Sequence, residues 1–144
     1  MLIGEHIHTL DDKNRISLPA KFKKFLGKEV VITGGLDQCL FIFTVSEWKT
    51  ISATLLERSF LQADNRSFNR YMFGAAEMLP VDASGRILIP EHLKVRAGLG
   101  NKVAFIGLGN RLEVWNEATW NSYKGKVEQS ADTLAEKLGS VGVL

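Results

Sequence analysis

A single cysteine, Cys39, stands in 144 residues, so no disulfide can form within the chain. Proline is scarce as well, with three residues and no Pro-rich or low-complexity stretch that would tether separate parts. No apolar run approaches the roughly 20 residues that a membrane helix requires. The opening residues MLIGEHIHTLDDK carry neither a charged leader nor a long apolar segment. These absences predict a soluble, cytoplasmic protein with no membrane partner. Charge of one sign is also missing: 18 Lys and Arg against 16 Asp and Glu give a formal net charge of +2. That is well short of the basicity that by itself marks a nucleic-acid binder.

What the chain does have is repetition. Residues 10–22, LDDKNRISLPAKF, superpose on residues 81–93, VDASGRILIPEHL, at a constant offset of 71, placing Asp11 on Asp82, Arg15 on Arg86 and Pro19 on Pro90. The match continues from Val30–Phe43 against Val103–Trp115 and ends with Trp48 against Trp120. A unit of about 45 residues buries too little apolar surface to fold alone. The two copies are therefore expected to share one core as a pseudo-dimer.

Each copy reads as an opening strand (Ile3, Ile7 and Leu10, or Met78 to Val81), a sharp turn, a short apolar strand (Ile16 to Leu18, or Ile87 to Ile89), a helix and a hairpin. Asn14 and Gly85 occupy the same turn position and are the two residue types that best tolerate positive φ. Pro19 and Pro90 fit the first position of the helix, and Gly27 and Gly98 its end. Gly109 and Asn110 fit the second hairpin turn. Residues 48–75 read as two helical pieces, with Trp48, Ile51 and Leu55 on one face and Asp64 as a cap for the second piece. Val127, Ala131, Leu134 and Leu138 form a stripe on a C-terminal helix that needs a partner surface, in its own body or in a neighbouring subunit.

Charge is distributed unevenly between the copies. Lys13, Arg15, Lys21, Lys23, Lys24 and Lys28 follow one another without an acidic residue, whereas the matching stretch has Arg86, Lys94, Arg96 and Lys102 diluted by Glu91. Part of this is structural, because basic residues at a helix C-terminus interact favourably with its dipole. In each turn the carboxylate can cap amides and hold the guanidinium. Lys13 and Arg15 can then reach phosphates or base edges.

Catalytic and metal readings fare worse. His6 and His8 share a strand face, but no third ligand completes a metal site; His92 stands alone, and Cys39 reads as a packed thiol. Asp11 and Asp82 are the only symmetric carboxylate pair, and an aspartyl-dyad hydrolase would need them to share a proton. The adjacent cations keep both ionised. With no nucleophile beside a base and no cofactor fingerprint, neither an enzyme nor a cofactor is expected.

The paired motifs LDDKNRISLP and VDASGRILIP, the tryptophans Trp48 and Trp120 and the string GNRLEVWNEATW resemble the two DxxxR signatures of the MraZ family, within the AbrB and MazE superfamily. The resemblance covers nearly the whole chain. It implies an α+β fold of two tandem AbrB-like β-α-β-β repeats in a pseudo-dimeric, swapped-hairpin β core. Residues 5–47 would be the first repeat, 48–75 a helical connector, 76–119 the second repeat and 120–144 a C-terminal helical segment. It further implies a transcriptional regulator of the division and cell wall gene cluster, its own operon included. Such a regulator binds repeated promoter sites on double-stranded DNA as a homo-oligomeric ring of eight or more subunits, in the cytoplasm over the nucleoid. The family motif falls on Asp11 and Arg15 and on Asp82 and Arg86; Asn14 departs from the usual Gly and should be tolerated. Charge favours Lys13, Asn14 and Arg15 as the DNA-binding residues, with Asp11, Asp82 and Arg86 structural. An antitoxin-like protein-binding module of the same superfamily is the alternative, disfavoured by the helical pattern of the C-terminal segment in place of a disordered tail.

Overall fold

The computed structural model describes residues 1–143. The first copy comprises β1 (Leu2–Thr9), β2 (Arg15–Ser17), a 3-10 turn (Ala20–Phe22), α1 (Lys23–Leu26), β3 (Glu29–Gly34) and β4 (Leu40–Thr44). Helices α2 (Val45–Leu56) and α3 (Ala63–Gly74) lead to the second copy, β5 (Glu77–Pro80), β6 (Arg86–Leu88), α4 (Glu91–Arg96), β7 (Lys102–Gly109) and β8 (Leu112–Asn116). Helix α5 (Glu117–Ser140) follows. Each copy is thus β-β-α-β-β, the order read from its residues, with one strand more than the β-α-β-β repeat that the family resemblance implies. Among the described residues no helix is long and apolar enough to cross a membrane.

Six strands form one antiparallel sheet in the order β1-β7-β8-β4-β3-β5. The first strand of each copy has left its own hairpin for the other's. Strand β1 pairs with β7, Leu2 opposite Gly109 through Thr9 opposite Lys102, and β5 pairs with β3, Glu29 opposite Pro80 through Ile32 opposite Glu77. Strands β4 and β8 join the two hairpins across a pseudo-dyad, with Phe41 opposite Glu113. The remaining strands, β2 and β6, make a separate two-stranded ribbon centred on Ile16 opposite Ile87, residues related by the 71-residue offset. The expected pseudo-dimeric, swapped core is therefore present.

Burial explains the apolar runs. Val30, Ile32, Leu40, Ile42, Val103, Phe105, Leu112 and Val114 face a core completed by Ile16, Ile87, Phe22 and Leu93. The alternate residues Phe41, Phe43, Ala104 and Trp115 face a second core roofed by Trp48, Ile51, Leu55, Tyr71 and Trp120. The central strands β3 and β4 are buried on both faces, so they run apolar without alternation, whereas the edge strands β1 and β5 stay largely exposed and keep polar residues. At Gly107 an added Cβ would lie 2.6 Å from the Leu2 backbone, so only glycine lets β1 close on β7.

Several local expectations shift by a residue or two. Pro19 and Pro90 are N-caps with extended ψ of 131° and 139°, not first helical residues. The reason is that ring closure fixes φ but leaves ψ free to turn the chain out of the ribbon. Gln62, not Asp64, occupies the N-cap position of α3, without a capping bond from its side chain, and Asp64 lies in the first turn where its charge still meets the positive helix end. Cys39 precedes β4, and its buried thiol is pushed up to about 12 mainly by desolvation. His6 and His8 pack edge-on against Phe22 and Phe105, at centroid distances of 5.3 and 5.7 Å.

Because Ile16 and Ile87 are 1 % and 2 % exposed at the one place where both copies meet ribbon to sheet, truncating either should loosen both. Ile16→Ala and Ile87→Ala are each expected to cost about 2–5 kcal/mol of stability, read by urea unfolding as one transition moved to lower denaturant. Two separate transitions would mean that the copies fold independently.

Candidate nucleic-acid interface

The two turns that enter the ribbon are built alike, and a carboxylate organises each. Asp11 Oδ1 accepts hydrogen bonds from the amides of Lys13 (2.9 Å) and Arg15 (2.8 Å), while Oδ2 accepts from Arg15 Nε at 2.8 Å. Asp82 repeats the pattern with Ser84 N (2.9 Å), Arg86 N (2.9 Å) and Arg86 Nε (3.0 Å). Backbone bonds close both loops, Asp11 N to Arg15 O and Asp82 N to Arg86 O, each at 2.9 Å. The residue before each arginine is left-handed, Asn14 at φ 61° and Gly85 at φ 78°. The turn chemistry read from the sequence is thus the geometry found.

This geometry fixes the charge state of both carboxyls. Amide donation, with arginine pairing in support, holds Asp11 and Asp82 below the usual carboxylate range. Each therefore stays ionised within its own turn. A proton-sharing dyad requires one of two carboxyls to be raised, the opposite of what the turns impose.

Spending Nε on the aspartate leaves the terminal nitrogens of each arginine without a protein partner among the described residues. In the ribbon, Ile16 and Ile87 point inward. Arg15 and Ser17 on one strand, with Arg86 and Leu88 on the other, occupy its outer face. Arg15 and Arg86 are similarly accessible there, with side chains 37 % and 38 % exposed. Sequence reasoning found both arginines but not Ser17 or Leu88, because Leu88 sits in the apolar triplet Ile87–Ile89 and reads as core. Only the strand register turns it outward.

The copies also reach into each other's turns. Lys94 Nζ donates to Asn14 Oδ1 at 3.0 Å, and Asn14 Nδ2 donates to Glu91 Oε2 at 2.8 Å. Lys23, the dyad mate of Lys94, lies across Gly85 toward Ser84 O at 3.4 Å. A Cβ at Gly85 would meet Lys23 Cε, the flexible end of a side chain that can swing aside, so what favours glycine there is the left-handed φ of 78°. Asn14 thus has both ends of its amide occupied within the molecule, and Lys13 is exposed with no such partner among the described residues.

A group whose carboxyl is depressed on folding stabilises the fold above its unfolded value and loses that contribution as pH falls through the folded value. With an unfolded value of about 3.9, the contribution of Asp11 and Asp82 should be complete near neutrality and drain away in acid. The double variant Asp11→Asn/Asp82→Asn should therefore lose less stability than the wild type between about pH 4 and pH 2. Urea midpoints measured across that range check this; parallel acid limbs would show that the two turns do not carry the shift.

Comparison with known proteins fits this architecture of two copies. The family profile of the MraZ protein, putative antitoxin-like, matches residues 1–71 and again residues 72–139. The chain is 41 % identical over 143 residues to the transcriptional regulator MraZ of Acetivibrio thermocellus, covering 99 % of this chain and 100 % of that one. It is 39 % identical over 143 residues to the protein of the same name from Caldanaerobacter subterraneus subsp. tengcongensis, with the same coverage. For the one from Heliobacterium modesticaldum it is 41 % over 138 residues, 96 % of each chain. With two matched copies and identity sustained along its length, the chain belongs to the MraZ family.

Proposed function

We propose that this protein is a sequence-specific, double-stranded DNA-binding transcriptional regulator whose β2–β6 ribbon and flanking turns enter the major groove. The observation that carries the reading is the pair of arginine forks, aimed by Asp11 and Asp82 on the outer face of a two-stranded ribbon. A ribbon of this kind fits a major groove about 12 Å wide. A guanidinium held at Nε keeps two terminal donors for the O6 and N7 acceptors of guanine. The names of the relatives, transcriptional regulators, support the same assignment.

The first copy is the principal DNA-binding side. Its exposed turn carries Lys13 beside Arg15, where the second has Ser84 beside Arg86. Asn14 contributes by holding the left-handed turn and locking it to Glu91 and Lys94. Asp11, Asp82 and Arg86 shape the turns. On this reading the sites lie in the promoter of the division and cell wall gene cluster, the protein's own operon included, and the protein acts in the cytoplasm over the nucleoid. A ring of eight or more subunits fits two further features. Phe60 and Leu61 are exposed at the α2–α3 corner, and Val127, Leu134 and Leu138 are exposed along α5. A ring also offsets the modest net charge, because several turns engage neighbouring sites at high effective concentration.

Arg15→Ala should reduce discrimination against wrong bases by about 1–3 kcal/mol. Lys13→Ala should instead weaken all sequences alike and make the slope of log affinity against log salt shallower by roughly 0.9 for each phosphate that is no longer neutralised. Arg86→Ala should weaken binding less than Arg15→Ala. Anisotropy titrations on specific and scrambled duplexes at several salt concentrations check all three, and normal binding by Arg15→Ala would remove the DNA face from the first copy.

Deleting residues 130–144 should lower the mass of the assembly in solution and leave the urea midpoint near that of the wild type. The segment lies beyond the contacts of Trp120 and Tyr123 with Trp115 and beyond the 3.0 Å ion pair of Lys124 with Glu5. Light scattering with parallel unfolding curves measures both, and an unchanged mass would take the helix stripe out of assembly.

A further inference from the structure

The outer face of the ribbon breaks the pseudo-dyad. Ser17 stands opposite Arg86, whereas at the dyad-related position Leu88 stands opposite Arg15. Leu88 is 55 % exposed although its neighbours Ile87 and Ile89 are 2 % and 0 % exposed. An exposed leucine on an ordinary surface needs no explanation. This one lies directly across the ladder from Arg15, on the face that carries both arginine forks, where the protein leaves more than half of it uncovered.

We infer that Leu88 is a specificity-determining residue that contacts a thymine C5-methyl group beside the guanine read by Arg15, which makes the site recognised by each subunit non-palindromic. The inference rests on the DNA reading proposed above. Directly opposed residues on one sheet face have Cβ atoms about 4.5–5.5 Å apart, and successive bases on a strand are about 3.4 Å apart. Leu88 therefore falls within one or two base steps of whatever Arg15 touches. Of the groups on major-groove base edges, the thymine methyl is the one apolar group large enough to pack against a leucine, since cytosine offers only a C5 hydrogen at the same place. Against any other edge a leucine would displace water from a donor or acceptor and return no hydrogen bond. Ser17, short and able to donate or accept, imposes no such requirement on the Arg86 side.

The test begins with the full-length wild type and duplexes that it selects from a random-sequence pool. In the tightest selected duplex each thymine is then replaced singly by deoxyuridine, which keeps Watson–Crick pairing and lacks the methyl. One replacement, within two base pairs of an essential guanine, should weaken wild-type binding about four-fold, the loss expected for one buried methyl-sized group. Leu88→Ser should bind the thymine and uracil forms equally, and Ser17→Leu should acquire a second sensitive thymine on the other side of the site. The Leu88 assignment is overturned if no replacement affects the wild type, or if Leu88→Ser keeps the penalty. It is also overturned if Leu88→Ser changes the mass of the assembly, which would make Leu88 a contact between copies of the chain. The wild-type scan needs no variant, so a folding defect cannot decide the matter. If no sequence is selected at all, the DNA reading itself falls and this inference with it; selection of a sequence with indifference to every thymine methyl overturns the Leu88 role alone.

Discussion

Backbone pairing between the two copies is the constraint on which the remaining structure rests. Interior strand edges cannot be left open, because buried amides and carbonyls without partners are costly. The hairpin β3–β4 offers an edge that β5 fills, and β7–β8 offers one that β1 fills. With both first strands exchanged, β2 and β6 are brought together on the pseudo-dyad, where Leu18 N reaches Gly85 O and Ile89 N reaches Asn14 O at 2.9 and 2.8 Å. The ribbon exists because the exchange leaves these segments nowhere else to pair.

From that ribbon the chemistry follows by alternation. Its inner face contributes Ile16 and Ile87 to the core, so its outer face must present Arg15, Ser17, Arg86 and Leu88. The carboxylates add direction. An arginine free on a surface samples many rotamers, and tying Nε to a turn that its own backbone also closes removes much of that freedom before any ligand arrives. Organisation here comes from within each turn, and the crossing contacts of Lys23 and Lys94 then set one turn against the other.

The parts legible in the sequence were those decided over a few residues. The left-handed positions at Asn14 and Gly85 and the Asp–Arg pairing follow from local chemistry, as do the helices around Trp48 and Trp120, although these begin three residues before the tryptophans, at Val45 and Glu117. The two-copy core was legible from the repeat. What no local rule supplied was which edge each strand would choose. VVIT and LFIF are buried on both faces and carry no alternation that would orient them. The turn of the first hairpin also escaped, because its left-handed positions are Asp37 and Gln38, at φ of 63° and 69°, and not the glycines Gly34 and Gly35 just before them. Leu88 escaped because an Ile-Leu-Ile triplet looks the same whether its middle residue points in or out.

The pairing of β1 with β7 also orders events in time. Leu2 finds its partner at Gly109, so 107 positions of sequence separate the first strand from the edge that receives it. During synthesis, which proceeds from the N-terminus at about 5–20 residues per second, β1 has emerged long before its mate exists. Such long-range closure is slow relative to local structure. The hairpin β3–β4 can form early, yet its outer edge waits for β5 and its apolar face for the second copy. The nascent chain therefore holds an unpaired strand and a half-covered sheet until nearly the whole polypeptide is made, and in that interval its open edges are exposed to pairing with the same strands of a neighbouring nascent chain.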